Sequence, residues 1–190
     1  PAIDPSTQLV ISVAAGILVS SIETWLGQPA AIVRCMPNTP SLVGLGAAGL
    51  YATTAVTDQQ KATTSHIMQA VGMAVWVDQE DQIDAVTAVS GSGPAYYFLM
   101  MEAMIQGAEK LGLSTDIAQQ LVLQTAAGAA KMAQQSSQTP AQLRQAVTSP
   151  KGTTEQAINT FNDGGFNNLC DAAMAAAHHR SQELAQLFKP

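Results

Sequence analysis

The chain has 190 residues, of which 47% are hydrophobic and only 12% are charged, whereas soluble domains usually contain about 25% charged residues. The low charge indicates that much surface is buried, in a core or against another chain. A net charge of −6, a pI of about 4.8 and the lack of a Lys/Arg cluster exclude a nucleic-acid-binding protein. No apolar run reaches the ~18 residues of a membrane span.

Cysteine and histidine spacing excludes two further kinds of site. Cys35 and Cys170 lie far apart and form no C-x-x-C pair, so we expect reduced thiols and a cytoplasmic protein. His66, His178 and His179 have no metal-ligand spacing with the cysteines or acids. No metal site is therefore predicted.

The first part of the chain alternates strands and helices. Short apolar runs predict strands at residues 9–16, 31–36, 50–53 and 74–77. The first of these is expected to be buried on both faces. Helices are predicted over residues 17–27 and 57–71, and the second opens with capping-box spacing between Thr57 and Gln60. Residues 1–80 are therefore predicted to form an α/β layer with a largely parallel sheet.

After Glu80 the pattern is helical. Five helices are predicted, over residues 93–111, 114–135, 140–147, 153–162 and 166–188. Residues 95–101 are apolar on every side, which favours burial within the domain or in a partner. Residues 81–190 are thus predicted to form an all-helical domain that dimerises. The four acids at the boundary are interpreted as a solvated loop: Asp78, Glu80, Asp81 and Asp84.

Two glycine-rich strings are rejected as catalytic motifs. Residues 44–49 match G-x-G-x-x-G, but a strand follows them and no acid lies about 20 residues on, so a flexible turn is predicted instead of a phosphate site. Residues 90–94, Ser-Gly-Ser-Gly-Pro, lack the first glycine of a nucleophile elbow. We interpret them as the start of a helix.

Two turns follow predicted strands and indicate one ligand-binding edge. Ala14, Ala15 and Gly16 end the first strand, and Pro37 to Pro40 end the second. Ligands of open α/β sheets bind beyond the carboxyl ends of the strands. The small residues of the first turn would admit a flat ring, and Asn38 offers an amide donor and acceptor.

The stretch at residues 147–155 is predicted to run from a loop into a helix. Thr153 and Gln156 have capping-box spacing. A helix start offers free N–H groups and the positive end of the helix dipole. With the nearby hydroxyls of Ser149, Thr153 and Thr154, it is suited to a small carboxylate or phosphate.

Four motifs in this order resemble the pyrroline-5-carboxylate reductase family, and the resemblance spans essentially the whole chain. They are VRCMPNTP at 33–40, DAVTAVSGSGPAY at 84–96, VTSPxGTT at 147–154 and RSxEL at 180–184. The resemblance implies an oxidoreductase that makes proline by transferring a hydride from NADPH or NADH to the C=N bond of pyrroline-5-carboxylate. It also implies the C-terminal part of a Rossmann-type sheet followed by a helical dimerisation domain, a homodimer and, in many members, a ring of dimers.

The resemblance also implies roles for individual residues. Thr154 would hydrogen-bond the ring nitrogen of the substrate and help to deliver its proton by relay from water. Glu80 would lie at the substrate's edge and favour the protonated iminium. The substrate would further contact Val147, Ser149, Gly152 and Thr153, and the nicotinamide end of the cofactor would contact Val13, Ala14, Ala15 and Asn38.

The chain departs from the family pattern in two places. Lys151 replaces the first glycine of the usual Ser-Pro-Gly-Gly, and a side chain there restricts the backbone if φ is positive. The family's opening strand, Gly-rich turn and helix, which hold the cofactor phosphates, have no counterpart, since only eight residues precede the first strand. We therefore expect a fragment that alone binds NADPH poorly and has little or no activity.

Two other interpretations stay open. A related two-domain hydroxyacid dehydrogenase would use a catalytic lysine on a helix of the second domain; Lys110 and Lys131 are available, but neither lies in a recognisable motif. The other is a helical dimerisation module without catalysis.

Overall fold

The computed structural model describes residue 4 and residues 8–190. The chain forms two compact units. The first comprises the residues up to Pro94 together with Ala172–Pro190, and the second comprises Ala95–Asp171. The domain boundary expected between residues 80 and 81 stays a prediction.

The first unit contains a four-stranded sheet within the described residues. Its strands lie in the order β1-β2-β3-β4 and are Leu9–Ser12, Ala31–Met36, Gly46–Ala52 and Gly72–Trp76. The pairs β1–β2 and β3–β4 are parallel, and β2–β3 is antiparallel. The α/β prediction and the mostly parallel sheet are confirmed, while the antiparallel pair was not predicted.

Eight α-helices occur in the described part of the chain, and each of the seven predicted ones is confirmed to within a few residues. They are α1 Val19–Leu26, α2 Asp58–Gln69, α3 Gln82–Val86, α4 Gly93–Lys110, α5 Thr115–Gln135, α6 Pro140–Ala146, α7 Thr153–Asp163 and α8 Phe166–Leu187. The capping box of α2 is present, since Gln60 N donates to the Thr57 side chain. Short α3 and the π-helical turn Thr87–Gly91 were not predicted.

Strand β2 is the centre of the core because both of its faces are buried. Alternate residues of a strand point to opposite sides of the sheet. Val33 and Cys35 pack with Leu50 on one side, while Ile32 packs with Val19 and Ile22 of α1 on the other. Burial raises the pKa of the Cys35 thiol to about 11. The expectation that the first strand is buried on both faces is wrong, since all four residues of β1 are only half-buried.

The turn predicted at residues 44–49 is confirmed at Gly44, which has a φ of 73°, and is wrong for residues 46–49, because Gly46–Ala52 form β3. Glycine occurs in this strand because neighbouring elements approach its backbone closely. A Cβ on Gly49 would lie 2.6 Å from both methyl groups of Val86 in α3. The string therefore reflects tight packing of helix on strand.

The solvated loop predicted at the acidic boundary is wrong for two of its residues. Asp84 is buried, and its Oδ1 accepts a hydrogen bond of 2.6 Å from the buried Ser181 hydroxyl of α8. Glu80 is also engaged, as described below. The Asp84–Ser181 bond joins residues 97 positions apart, and a buried carboxylate needs such a donor.

Replacement of Ser181 by Ala removes this donor and leaves a buried carboxylate oxygen without it. We expect Ser181→Ala to lower the free energy of unfolding by about 1–3 kcal/mol, measured by urea denaturation. Ser20, an exposed serine of α1, is the matched control, and Ser20→Ala is expected to change the value by less than about 0.5 kcal/mol. Equal stability of Ser181→Ala and the parent chain would contradict the assigned role.

Candidate active site

In the first unit, the turn after β1 is an open backbone surface at one edge of the sheet. Parallel β1 and β2 place their carboxyl ends at the same edge, with Ser12 paired to Arg34. Val13 is 60% exposed, and Ala14 and Ala15 are exposed beside it. Small, exposed side chains allow a flat aromatic ring to reach this backbone, as the sequence predicts.

Gly16 ends this turn and packs against the C-terminal part of α8. Its φ of 74° lies in the left-handed region that favours glycine. A Cβ there would lie 3.0 Å from Leu184 Cβ and 3.4 Å from the Phe188 ring. The turn is thus supported from behind by a helix that is distant in sequence.

Glu80 links the start of α1 to strand β2. Its Oε1 accepts a hydrogen bond of 2.7 Å from Val19 N and one of 2.9 Å from Arg34 Nη1. The carboxylate therefore satisfies a free N–H at the helix N-terminus, where negative charge is favourable. Its predicted contact with substrate stays a prediction, and the bonded Oε1 restricts how it can occur.

Arg34 is the residue of this region that the sequence analysis missed. Its side chain is only 4% exposed, and Glu80 is 27% exposed. The signal was present, because an arginine inside the apolar strand Ala-Ile-Val-Arg-Cys-Met needs a buried acceptor. The partner lies 46 residues away, so its identity was not readable locally.

Asn38 holds the loop after β2 in place. Its Nδ2 donates to Ser90 O at 3.0 Å, and its Oδ1 accepts from Ala47 N at 2.9 Å. Both ends of the amide therefore bond within the protein. A role of Asn38 toward the cofactor stays a prediction.

In the second unit, the loop between α6 and α7 and the start of α7 carry five of the six residues predicted to bind substrate; the sixth, Glu80, belongs to the first unit. Val147 ends α6 and is exposed, and Ser149 O accepts a hydrogen bond of 3.0 Å from Gly152 N. Gly152 is the N-cap of α7, followed by exposed Thr153 and half-buried Thr154. One tight turn thus carries all five: Val147, Ser149, Gly152, Thr153 and Thr154.

The capping box predicted for this helix is wrong. Gly152, not Thr153, is the N-cap, and no side chain caps the helix there. Instead, Glu155 Oε2 accepts a hydrogen bond of 2.7 Å from Lys151 N. The first intrahelical bond runs from Gln156 N to Gly152 O at 3.3 Å, so the N–H groups of Thr153 and Thr154 precede it and are directed out of the helix start.

Lys151 adopts φ = 60° and is the one non-glycine residue with positive φ in the described part of the chain. The restriction anticipated at this position is therefore real. It places a lysine in a conformation that favours glycine, next to the free start of α7. Its ammonium adds positive charge to a place already favourable to an anion.

The other titratable side chains of the described residues form no metal site. Among the described residues, no group of three or more His, Cys, Asp or Glu side chains is arranged to hold a metal ion. On α8, a hydrogen bond from Arg180 lowers the pKa of exposed Glu183.

Among all the residues that the structure describes, no helix is long and apolar enough to cross a membrane.

The turn at residues 13–16 meets the requirements of a nicotinamide ring. It offers a strand-end backbone without a bulky side chain at Ala14 and Ala15, and its conformation is held by Gly16. These residues would hold the nicotinamide end of a dinucleotide by van der Waals contact and backbone hydrogen bonds.

Comparison with known proteins identifies the family to which this chain is similar. A family model described as pyrroline-5-carboxylate reductase dimerisation matches residues 80–184. A pyrroline-5-carboxylate reductase of Pseudomonas aeruginosa is 56% identical over 98% of this chain and 68% of its own length; one of Vibrio alginolyticus is 45% identical over 98% and 69%.

Solved structures give the same result. The pyrroline-5-carboxylate reductase of Coxiella burnetii has a TM-score of 0.92 at 50% identity, covering 95% of this chain and 68% of that one. The pyrroline carboxylate reductase of Plasmodium falciparum, solved with NADP bound, has a TM-score of 0.88 at 32% identity, covering 95% and 69%.

The left-handed conformation of Lys151 leads to a stability prediction. A non-glycine residue pays roughly 1–2 kcal/mol in this region, while glycine adds about 0.5–1 kcal/mol of entropy cost on folding. We therefore expect Lys151→Gly to raise the free energy of unfolding by about 0.5–1 kcal/mol, measured by urea denaturation. Lys151→Ala, which keeps a Cβ, is the control and should gain nothing; equal gains in both variants would refute the strain.

Proposed function

This chain belongs to the pyrroline-5-carboxylate reductase family, and we propose that it carries the substrate site and the nicotinamide-facing part of such an enzyme. The reaction is the NADPH- or NADH-dependent reduction of 1-pyrroline-5-carboxylate to L-proline, the last step of proline biosynthesis. The observation that carries the proposal is the 56% identity to the Pseudomonas aeruginosa reductase over 98% of the chain. We assign residues 1–80 to the nucleotide-binding part and 81–190 to the helical part.

The substrate carboxylate binds at the start of α7. The outward N–H groups of Thr153 and Thr154 and the hydroxyl of Ser149 supply donors, and the helix dipole adds favourable potential. Val147 and Gly152 shape the turn that contacts the ring. The exposed position of this turn and the N-cap at Gly152 support the assignment.

The reaction adds a hydride to the imine carbon and one proton to the ring nitrogen. When bound, the reduced nicotinamide supplies the hydride. Thr154 donates a hydrogen bond to the ring nitrogen and is the catalytic residue, with the proton relayed from water because a threonine hydroxyl is a weak acid. Glu80, through the carboxylate oxygen that Val19 and Arg34 leave free, favours the protonated and more electrophilic iminium.

Val13, Ala14 and Ala15 would hold the nicotinamide end of the cofactor. Asn38 acts on it through the loop that its two amide hydrogen bonds hold. NADP in the Plasmodium falciparum structure supports a dinucleotide of this class. Two unpaired cysteines support a reducing compartment, the cytoplasm.

The helical part forms a homodimer, and the dimers can assemble further into a ring. Its helices expose large apolar side chains that water disfavours, among them Tyr97, Phe98 and Leu99 on α4 and Ile117 and Leu121 on α5. The match of residues 80–184 to a dimerisation family supports a second copy as their partner.

The activity is tested by NADPH oxidation with racemic pyrroline-5-carboxylate, followed at 340 nm. It is run on the 190-residue chain and on a longer version that includes the upstream coding sequence. We expect turnover in the longer version and little in the 190-residue chain. Turnover in neither would leave only the helical dimerisation role and refute the proposed reaction.

The role of Thr154 is tested in the longer version. We expect Thr154→Ala to lower kcat by about 10²-fold, the lower range for loss of a proton-transfer group, with the dimer intact. Thr154→Ser keeps the hydroxyl and should retain most of the rate. Unchanged kinetics of Thr154→Ala would remove this residue from the mechanism.

Dimerisation is tested by placing a charge on the apolar face of α4. A carboxylate desolvated in an apolar interface costs several kcal/mol, so Phe98→Glu should convert the dimer to monomer at micromolar concentration in analytical ultracentrifugation. Gln134→Glu, an exposed polar position of α5, is the control and should remain dimeric. A stable Phe98→Glu dimer would show that this face is not the interface.

A further inference from the structure

We propose that Arg34 is a positioning residue for the nicotinamide ring: it ties both ends of the connection between β1 and α1, residues 13–18, which contains the turn at residues 13–16, and its loss weakens NADPH binding. This inference rests on the proposed function, which assigns the nicotinamide contact to Val13, Ala14 and Ala15. Arg34 itself is assigned no contact with cofactor or substrate.

The first tie is made by the backbone. Arg34 is paired with Ser12 in the parallel register of β1 and β2. Ser12 is the last residue of β1 and directly precedes Val13. The N-terminal end of the turn is therefore fixed at the position of Arg34.

The second tie is made by the side chain. Arg34 Nη1 lies 2.9 Å from Glu80 Oε1, and the same oxygen accepts a hydrogen bond of 2.7 Å from Val19 N. Val19 is the first residue of α1 and follows the turn. Arg34 therefore holds the C-terminal end of the turn through Glu80, and the same arginine is paired with Ser12 at its N-terminal end.

The two partners differ in burial, and this shows which side chain is fixed in place and which one can move. The guanidinium is 4% exposed, so it cannot move away without losing the Glu80 carboxylate, whereas that side chain is 27% exposed and can reach water. A buried charge held by surrounding residues is the fixed member of such a pair. Without it, the Glu80 side chain can turn to solvent and release Val19 N.

Other contacts near the turn do not replace this tie. Ser12 Oγ accepts from Ala14 N at a long 3.4 Å, which is a weak bond. Leu184 of α8 and Phe188, which directly follows this helix, support Gly16 from behind by contact alone. Both act within the turn. Val19 also packs with Ile32 in the core, and Glu80 adds the hydrogen bond that fixes the N–H of Val19.

The test uses the longer version of the protein that includes the upstream coding sequence. The dissociation constant of NADPH is measured from nicotinamide fluorescence without substrate, for the parent and for Arg34→Met, Glu80→Ala and the double variant. Arg34→Lys keeps the charge on a shorter, non-planar group. Lys61→Met, an exposed cation of α2 in the same unit, controls for loss of positive charge.

We expect each single variant to raise the dissociation constant about tenfold, since a small misplacement of binding groups is costly. The double variant should also show about tenfold rather than about a hundredfold, because both changes remove one tie. Arg34→Lys should recover part of the affinity, and Lys61→Met should match the parent.

A dissociation constant of Arg34→Met within about twofold of the parent would overturn the proposal, as would multiplied effects in the double variant. If circular dichroism shows that Arg34→Met does not fold, Glu80→Ala decides alone, and parental affinity in that variant overturns the proposal. A parent that binds NADPH but does not reduce pyrroline-5-carboxylate refutes the proposed function while leaving the binding test valid.

Discussion

One carboxylate oxygen connects the parts of the first unit that carry the candidate site. Glu80 Oε1 accepts from Val19 N, 61 residues earlier, and from Arg34 Nη1, 46 residues earlier. A buried guanidinium and a free helix start each need an anionic partner, and one group meets both needs. The start of α1, which follows the strand-end turn, and the central strand are therefore joined through a single ion pair that salt screens weakly.

The elements of the fold were predictable wherever their signals are local. Strand β2 follows from a β-branched run stopped by Pro37, and α2 from the capping box of Thr57 and Gln60. The antiparallel pairing of β2 with β3 depends on how distant segments meet, which periodicity does not encode. The glycines of β3 were misinterpreted for the same reason, since Val86 explains Gly49 only after folding.

In the candidate site, too, the features with a local sequence signal were predictable and the contacts between distant residues were not. The ligand edge formed by two strand ends follows from a general property of parallel strands, and the α7 start follows from Gly152 and the threonines after it. The bonds of Glu80 to Arg34, of Asn38 to Ser90 and of Asp84 to Ser181 were not predictable, because each joins residues more than 40 positions apart. The capping box predicted for Thr153 and Gln156 was wrong because α7 begins one residue earlier than that box requires, with Gly152 as its N-cap.

Helix α8 begins in one compact unit and ends in the other. Its last turns supply Ser181 to Asp84 and cover Gly16. The sheet-bearing unit is consequently discontinuous along the gene, and no single cut yields it whole. Isolating it would require joining residues 172–190 to the end of the segment that stops at Pro94, for example by a designed linker, whereas the unit Ala95–Asp171 is one uninterrupted stretch.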